Sequence, residues 1–256
     1  MSKREKRIGE LNISNEGCEM KIIEYKDARN VTIEFQDGYK TRIVVSYKNF
    51  KSGKVKNPFH KSVYGIGYIG KGKYKLRENN KQTKAYKVWF SMIERCYDPY
   101  FLNKYPTYRD CIVCEEWHCF QNFAKWFYEH SYKVNNEQMN LDKDILYKGN
   151  KIYSPKTCII VPKRINLLFI KSNVKRGVYP IGVIYHKRDN ALEVWCHTLE
   201  KQEYLGRFPL NRPFQAFYIY KKFKENYIKQ VADEYKNLIP IELYKALCKY
   251  KVEIND

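Results

Sequence analysis

Two carboxylates flank a lysine in Leu141-Asp142-Lys143-Asp144, at the head of a stretch that continues through Cys158 to Asn166 and reads as strand, turn, strand, helix. Mg²⁺ takes oxygen donors and keeps several waters, and Asp144 offers such an oxygen beside Asp142. The same two aspartates serve equally well as hairpin or cap residues that saturate Lys143 and Lys148. The spacing alone leaves both readings open.

A second group is Cys96, Cys111, Cys114, His118 and Cys119. A Cys-x-x-Cys knuckle with a further Cys or His pair would hold structural Zn²⁺, but only Cys111-Ile-Val-Cys114 has that spacing, and Cys96 and Cys119 adjoin apolar helix stripes. Buried unmetallated thiols outweigh zinc at Cys111 and Cys114. Eight cysteines in 256 residues is too sparse for a disulfide framework, so reduced thiols are expected. His186 and His197 fall on two different β-type runs and read as surface strand residues.

Charge supplies the widest signal. The chain has 48 Lys and Arg against 28 Asp and Glu, a net +20 that makes a polyanion the default partner. Eleven of the bases lie between Gly38 and Arg77, and ten more between Ile145 and Arg188, with no acid in either window. Lys54, Lys56, Lys163, Arg164 and Arg176 are candidate nucleic-acid contacts on that ground. Basic runs are also often plain solvated faces. Twenty-four tyrosines add flat rings and hydroxyls suited to such a surface.

The elements that must position these groups belong to an α+β fold. Val31, Ile33 and Phe35 alternate with Thr32 and Glu34, and Asp37-Gly38 predicts a tight hairpin turn before Ile43 and Val45. Gly65-Ile-Gly67-Tyr-Ile-Gly70 fits the spacing of a dinucleotide loop. No helical period follows it, so it is expected to be loop or hairpin. The polar stretch from Glu78 to Lys84 reads as a linker. Ala85, Val88, Trp89, Met92, Ile93 and Cys96 then form one helical stripe, and Phe120, Phe123, Ala124, Phe127 and Tyr128 a second. Three short strands are expected at Ile181 to His186, Leu192 to His197 and Glu203 to Phe208. A long helix bearing Phe217 to Tyr235 follows, and a last helix starts at Pro240.

The stretch Leu141 to Asn166, preceded by Arg95-Cys96-Tyr97, Cys114-Glu-Glu-Trp117 and Phe120-Gln-Asn-Phe123, resembles the HNH-type endonuclease-like proteins of bacteriophages. In that family a ββα unit grips one divalent cation over a scissile phosphate. The resemblance implies Asp142 as metal ligand and Asn166 as the ligand from the helix, with Mg²⁺ as the ion. Lys143 stands where the family has its His base, and Thr157 where it has the Asn that orients that His. Gly182-Val, the strand around Trp195, Tyr204-Leu-Gly-Arg-Phe208 and Ala216-Phe-x-x-Tyr-Lys221 resemble the APETALA-type DNA-binding domain. That resemblance implies a three-stranded sheet in the major groove with a helix on its back. Arg188, Trp195, His197 and Arg207 would then face DNA.

The expected organisation is a small β domain over residues 1–80, an HNH-like ββα domain over 81–176, and an APETALA-type module over 177–256. The expected activity is that of a phage-type DNA-binding protein with metal-dependent phosphodiester cleavage; the alternatives are a DNA-occupying regulator without catalysis and an inhibitor acting on RNA or protein through the same basic surfaces. Double-stranded DNA is the expected partner. No apolar run is long enough to span a membrane and no apolar segment follows the basic start, so a cytoplasmic chain is expected.

Overall fold

In the computed structural model, which describes residues 6–170, 178–254 and 256, the period-two pattern of the first segment becomes a four-stranded antiparallel sheet. Its strands β1 (Leu11–Ile13), β2 (Glu19–Tyr25), β3 (Val31–Phe35) and β4 (Arg42–Val45) lie side by side in chain order. Alternation decides the faces. Val31, Ile33 and Phe35 are buried with Met20 and Ile22, and Phe50 of helix α1 (Tyr47–Lys51) closes this core. Each such side chain contributes roughly 1.5–3 kcal/mol on leaving water. The β3–β4 connection departs from the tight turn expected at Asp37-Gly38. It spans residues 36–41, Gly38 has no positive φ, and Lys40 takes the left-handed conformation (φ 45°) instead. Asp37 organises it by accepting the Tyr39 N–H at 3.0 Å.

No helix forms between α1 and residue 84, so the glycine-rich stretch is loop, with a single bridge from Val63 to Gly67. The expected linker is instead a small hairpin. Strands β5 (Arg77–Glu78) and β6 (Lys81–Gln82) pair across Asn79 and Asn80, both at positive φ as a two-residue turn of this kind requires. The Thr83 hydroxyl then caps helix α2 (Lys84–Tyr97) by accepting the Tyr86 N–H. Helix α3 (Pro99–Lys104), strand β7 (Ile112–Val113) and helix α4 (Phe120–His130) follow. The two apolar stripes are core: Trp89, Met92 and Ile93 of α2 and Phe120 and Phe123 of α4 are fully buried, and the Trp89 indole donates to the Trp117 carbonyl at 2.7 Å.

Strands β8 (Met139–Asp142), β9 (Ile152–Tyr153) and β10 (Ile159–Pro162) lead into the short helix α5 (Lys163–Leu167), with β8 and β10 antiparallel. Strands β11 (Val183–His186), β12 (Ala191–His197) and β13 (Gln202–Phe208) form a three-stranded antiparallel sheet. The 22-residue helix α6 (Pro213–Glu234) and helix α7 (Ile241–Lys249) complete the chain. Proline at the first turn of α6 suits its fixed φ and missing donor.

Helix α6 serves two cores. Its first half sets Ala216 and Tyr220 against Val183, Leu192, Val194 and Cys196 of the sheet. Its second half sets Ile228, Val231 and Tyr235 against Val161 and Ile165 of β10 and α5, with Leu243 and Leu247 of α7. By its contacts the α+β chain divides into two compact units, Met1–Glu129 and His130–Asp256. Helix α2 and strands β8 and β10, grouped by sequence within 81–176, therefore fall in different units. Among the described residues no helix is long and apolar enough to cross a membrane.

Candidate functional site

Asp142 ends β8, and its Oδ1 accepts the main-chain N–H groups of Asp144 at 2.8 Å and Ile145 at 2.7 Å. This is a turn cap built from one carboxylate oxygen. Burial first and then the neighbouring Asp144 push the Asp142 carboxyl up to about 6, against the opposing pull of the two N–H bonds and Lys143. Lys143 lies with its amine 3.1 Å from Asp144 Oδ2, and its side chain is only 11% exposed. A neighbouring carboxylate favours the charged amine, and burial opposes it. At the position where the resemblance places a His base, Lys143 thus meets Asp144.

Thr157 stands where the resemblance has an orienting Asn, and here it serves its own turn. The Thr157 hydroxyl donates to the Ile152 carbonyl at 2.7 Å and meets Ser154 Oγ at 2.9 Å, which closes its own turn. Asn150 pins the segment after Asp142 instead: its amide donates to the carbonyls of Lys143 at 2.7 Å and Ile152 at 2.8 Å. The preceding Gly149, at φ 81°, was the sequence signal for this turn. Asn166 is half-buried on α5, the helix packed against β8. Asp142, Asp144 and Asn166 are hard oxygen donors of the kind Mg²⁺ takes.

The open face of the three-stranded sheet carries Ile184, Glu193, Trp195 and Tyr204, with Trp195 and Tyr204 paired across strands and their rings 4.8 Å apart. Arg207, expected to reach DNA, is exposed and pairs with acids of its own sheet. Its Nη2 lies 2.7 Å from both Asp189 Oδ2 and Glu193 Oε1, and the Trp195 indole donates to Glu193 at 3.1 Å. His186, Asp189 and Glu193 could together offer ligand atoms to one ion, and sequence reading passed over this grouping. Arg207 already supplies its cation. Arg188 is exposed in the β11–β12 turn, and His197 is exposed at the end of β12.

Arg164 is also committed within the fold. Its guanidinium reaches Glu200 and Glu234, each at 2.9 Å, and lies over the Tyr235 ring. Lys148 pairs with Asp256 at 2.7 Å. Lys163 is exposed at the start of α5, whereas Arg176 lies outside the described residues. The second basic window is thus partly neutralised by acids distant in sequence. The first window is neutralised to the same small extent. Of its eleven bases, Arg42 pairs with Glu34 and Lys51 with Glu10, and the other nine, Lys54 and Lys56 included, are exposed with no carboxylate partner among the described residues.

Cys96, Cys111 and Cys119 are buried and Cys114 half-buried, none of them in a disulfide. Burial raises the Cys114 thiol pKa, which disfavours the thiolate a metal needs. His118 Nε2 lies 3.0 Å from the Val113 carbonyl. Among the described residues the group of three or more ligand-bearing side chains that converges is His186, Asp189 and Glu193, not the cysteines. Comparison of the chain with protein-family models, with curated proteins and with solved structures finds no match.

Proposed function

We propose that the protein binds duplex DNA chiefly through its phosphates, as an HNH-like chain whose ββα element lacks the His base of that family. The observation that carries this reading is the set of nine exposed cations between Gly38 and Arg77 that have no carboxylate partner among the described residues. Such a surface repels itself and is stabilised when a polyanion neutralises it. On the three-stranded sheet the side chains open to DNA are Arg188, Trp195 and His197, while Arg207 and Arg164 pair with acids of the fold.

Asp142 and Asn166, with Asp144 beside them, would hold a Mg²⁺ ion. Bound there, the ion would act as a Lewis acid on a phosphodiester oxygen. The chain's own contribution stops short of a full hydrolytic set, because Lys143, which meets Asp144, stands where the family has its His base.

The test is binding of a duplex of about 30 base pairs at rising salt. If six to ten phosphates are neutralised, affinity falls by roughly 10³–10⁵ between about 50 and 200 mM salt. A flat dependence overturns the reading. Incubation of long duplex DNA with Mg²⁺ or Mn²⁺ is the second arm, and no strand scission is expected. Scission abolished by Asp142→Ala would replace binding by hydrolysis as the function.

A further inference from the structure

We propose that residues 70–77 form a pre-set cationic ribbon that tracks a DNA phosphate backbone, and that Gln121 is the positioning residue that holds the ribbon in place. This inference rests on the DNA-binding reading and names the element within it that engages the strand. The glycine-rich stretch that the sequence offered as a dinucleotide loop thereby acquires a different role.

The ribbon's main chain is fixed from within. Gln121, buried on α4, accepts the Tyr74 N–H at 3.0 Å through Oε1 and donates to the Tyr74 carbonyl at 2.9 Å through Nε2. A buried amide is costly unless both ends are satisfied, and here one residue's backbone satisfies both. The Gly70 N–H donates to Pro58 at 2.8 Å, the Thr83 hydroxyl to the Lys75 carbonyl at 3.0 Å, and the Thr83 N–H to the Leu76 carbonyl at 3.0 Å. The Tyr74 ring stacks on Tyr128, centroids 5.4 Å apart.

The glycines allow this close approach. A Cβ at Gly70 would stand 2.4 Å from Cys119 Sγ, and one at Gly72 would stand 2.2 Å from Gln121 Oε1. With the backbone turned inward, Lys71, Lys73, Lys75 and Arg77 are all exposed, while Tyr74 and Leu76 between them are half-buried. Glu78 is the first acid after them. Residues two apart lie no more than about 7 Å from one another along the chain. That is inside the screening length of roughly 8 Å at physiological salt, so their fields add. Cations already ordered before DNA arrives spare the complex the entropy of ordering them.

The experiment measures affinity for the same duplex across salt for four proteins: the unaltered chain, Lys73→Gln with Lys75→Gln, Gln121→Leu, and Lys245→Gln with Lys249→Gln as an equal charge change on α7. The ribbon pair is expected to lower the slope of log affinity against log salt by about 1.8, from about 0.9 per lost phosphate contact, and the α7 pair to leave it unchanged. Gln121→Leu removes no charge, yet it is expected to lower both affinity and slope, because a loosened ribbon engages fewer phosphates at once. General destabilisation of a folded sample would not move the slope. If the ribbon pair behaves like the α7 pair, the inference is overturned; a Gln121→Leu protein with unaltered slope removes Gln121 from its role. The lysine pair touches only exposed side chains and decides the matter even if Gln121→Leu does not fold. Failure of the unaltered chain to bind would instead overturn the DNA reading itself.

Discussion

Asp142 serves the backbone and carries a penalty for doing so. Its carboxylate caps the turn through two N–H groups, yet burial and Asp144 lift its folded pKa to about 6 from an ordinary 3.8. A folded-state pKa above the unfolded one gives stability that is present in full below about 3.8 and lost as pH rises through about 6. The metal-free protein should therefore lose about 3 kcal/mol over that window on this account. Asp142→Asn keeps the Oδ1 acceptor and removes the charge, so urea melts from pH 4 to 7 should show the variant gaining on the parent as pH rises. Parallel curves would contradict the assignment. Asn150→Ala tests the neighbouring pin. It strips the hydrogen bonds from the Lys143 and Ile152 carbonyls and should cost roughly 1–3 kcal/mol in the same melts.

At the scale of elements, close approaches decide where substitutions are tolerated. Gly182 sits at φ 80°, and a Cβ there would lie 2.0 Å from the Tyr220 ring of α6. Gly182→Ala should lose roughly 1–2 kcal/mol to backbone strain and a further 1–3 to overpacking, read as a lowered melting temperature. The glycine was conspicuous in the sequence, but its reason was not, since Tyr220 is 38 positions away. The same distinction runs through the fold. Stripes such as Ala85 to Cys96 announce helices because their periodicity is local, and the alternation in Leu192 to His197 announces a strand for the same reason. Pairings across the chain leave no local trace. Arg164 meets Glu234 at a separation of 70 residues and Glu200 at 36, so a run with no acid of its own gains counter-charges only after folding. The pairing of Arg207 was hidden likewise, because its partner Glu193 lies across a strand pair, in register, 14 residues away. At the candidate metal position the residue types were legible, while the pairing of Lys143 and the pin by Asn150 depended on turn geometry.

For the molecule as a whole, +20 on 256 residues is a standing electrostatic load. Since nine bases of the first window find no carboxylate among the described residues, added salt should relieve more repulsion than it removes attraction from exposed ion pairs, which are each worth at most about 1 kcal/mol. Thermal denaturation without DNA should therefore move to higher temperature between about 20 and 200 mM NaCl. A downward shift would mean that the salt bridges govern stability.

The single rod α6 sets how the region from His130 onward comes apart. Because its opposite ends are embedded in different apolar clusters, neither cluster can loosen without exposing the flank of a helix the other still needs. Melting there should be all-or-none, with amide protons at Tyr220 and at Val231 exchanging through one shared opening at one common free energy.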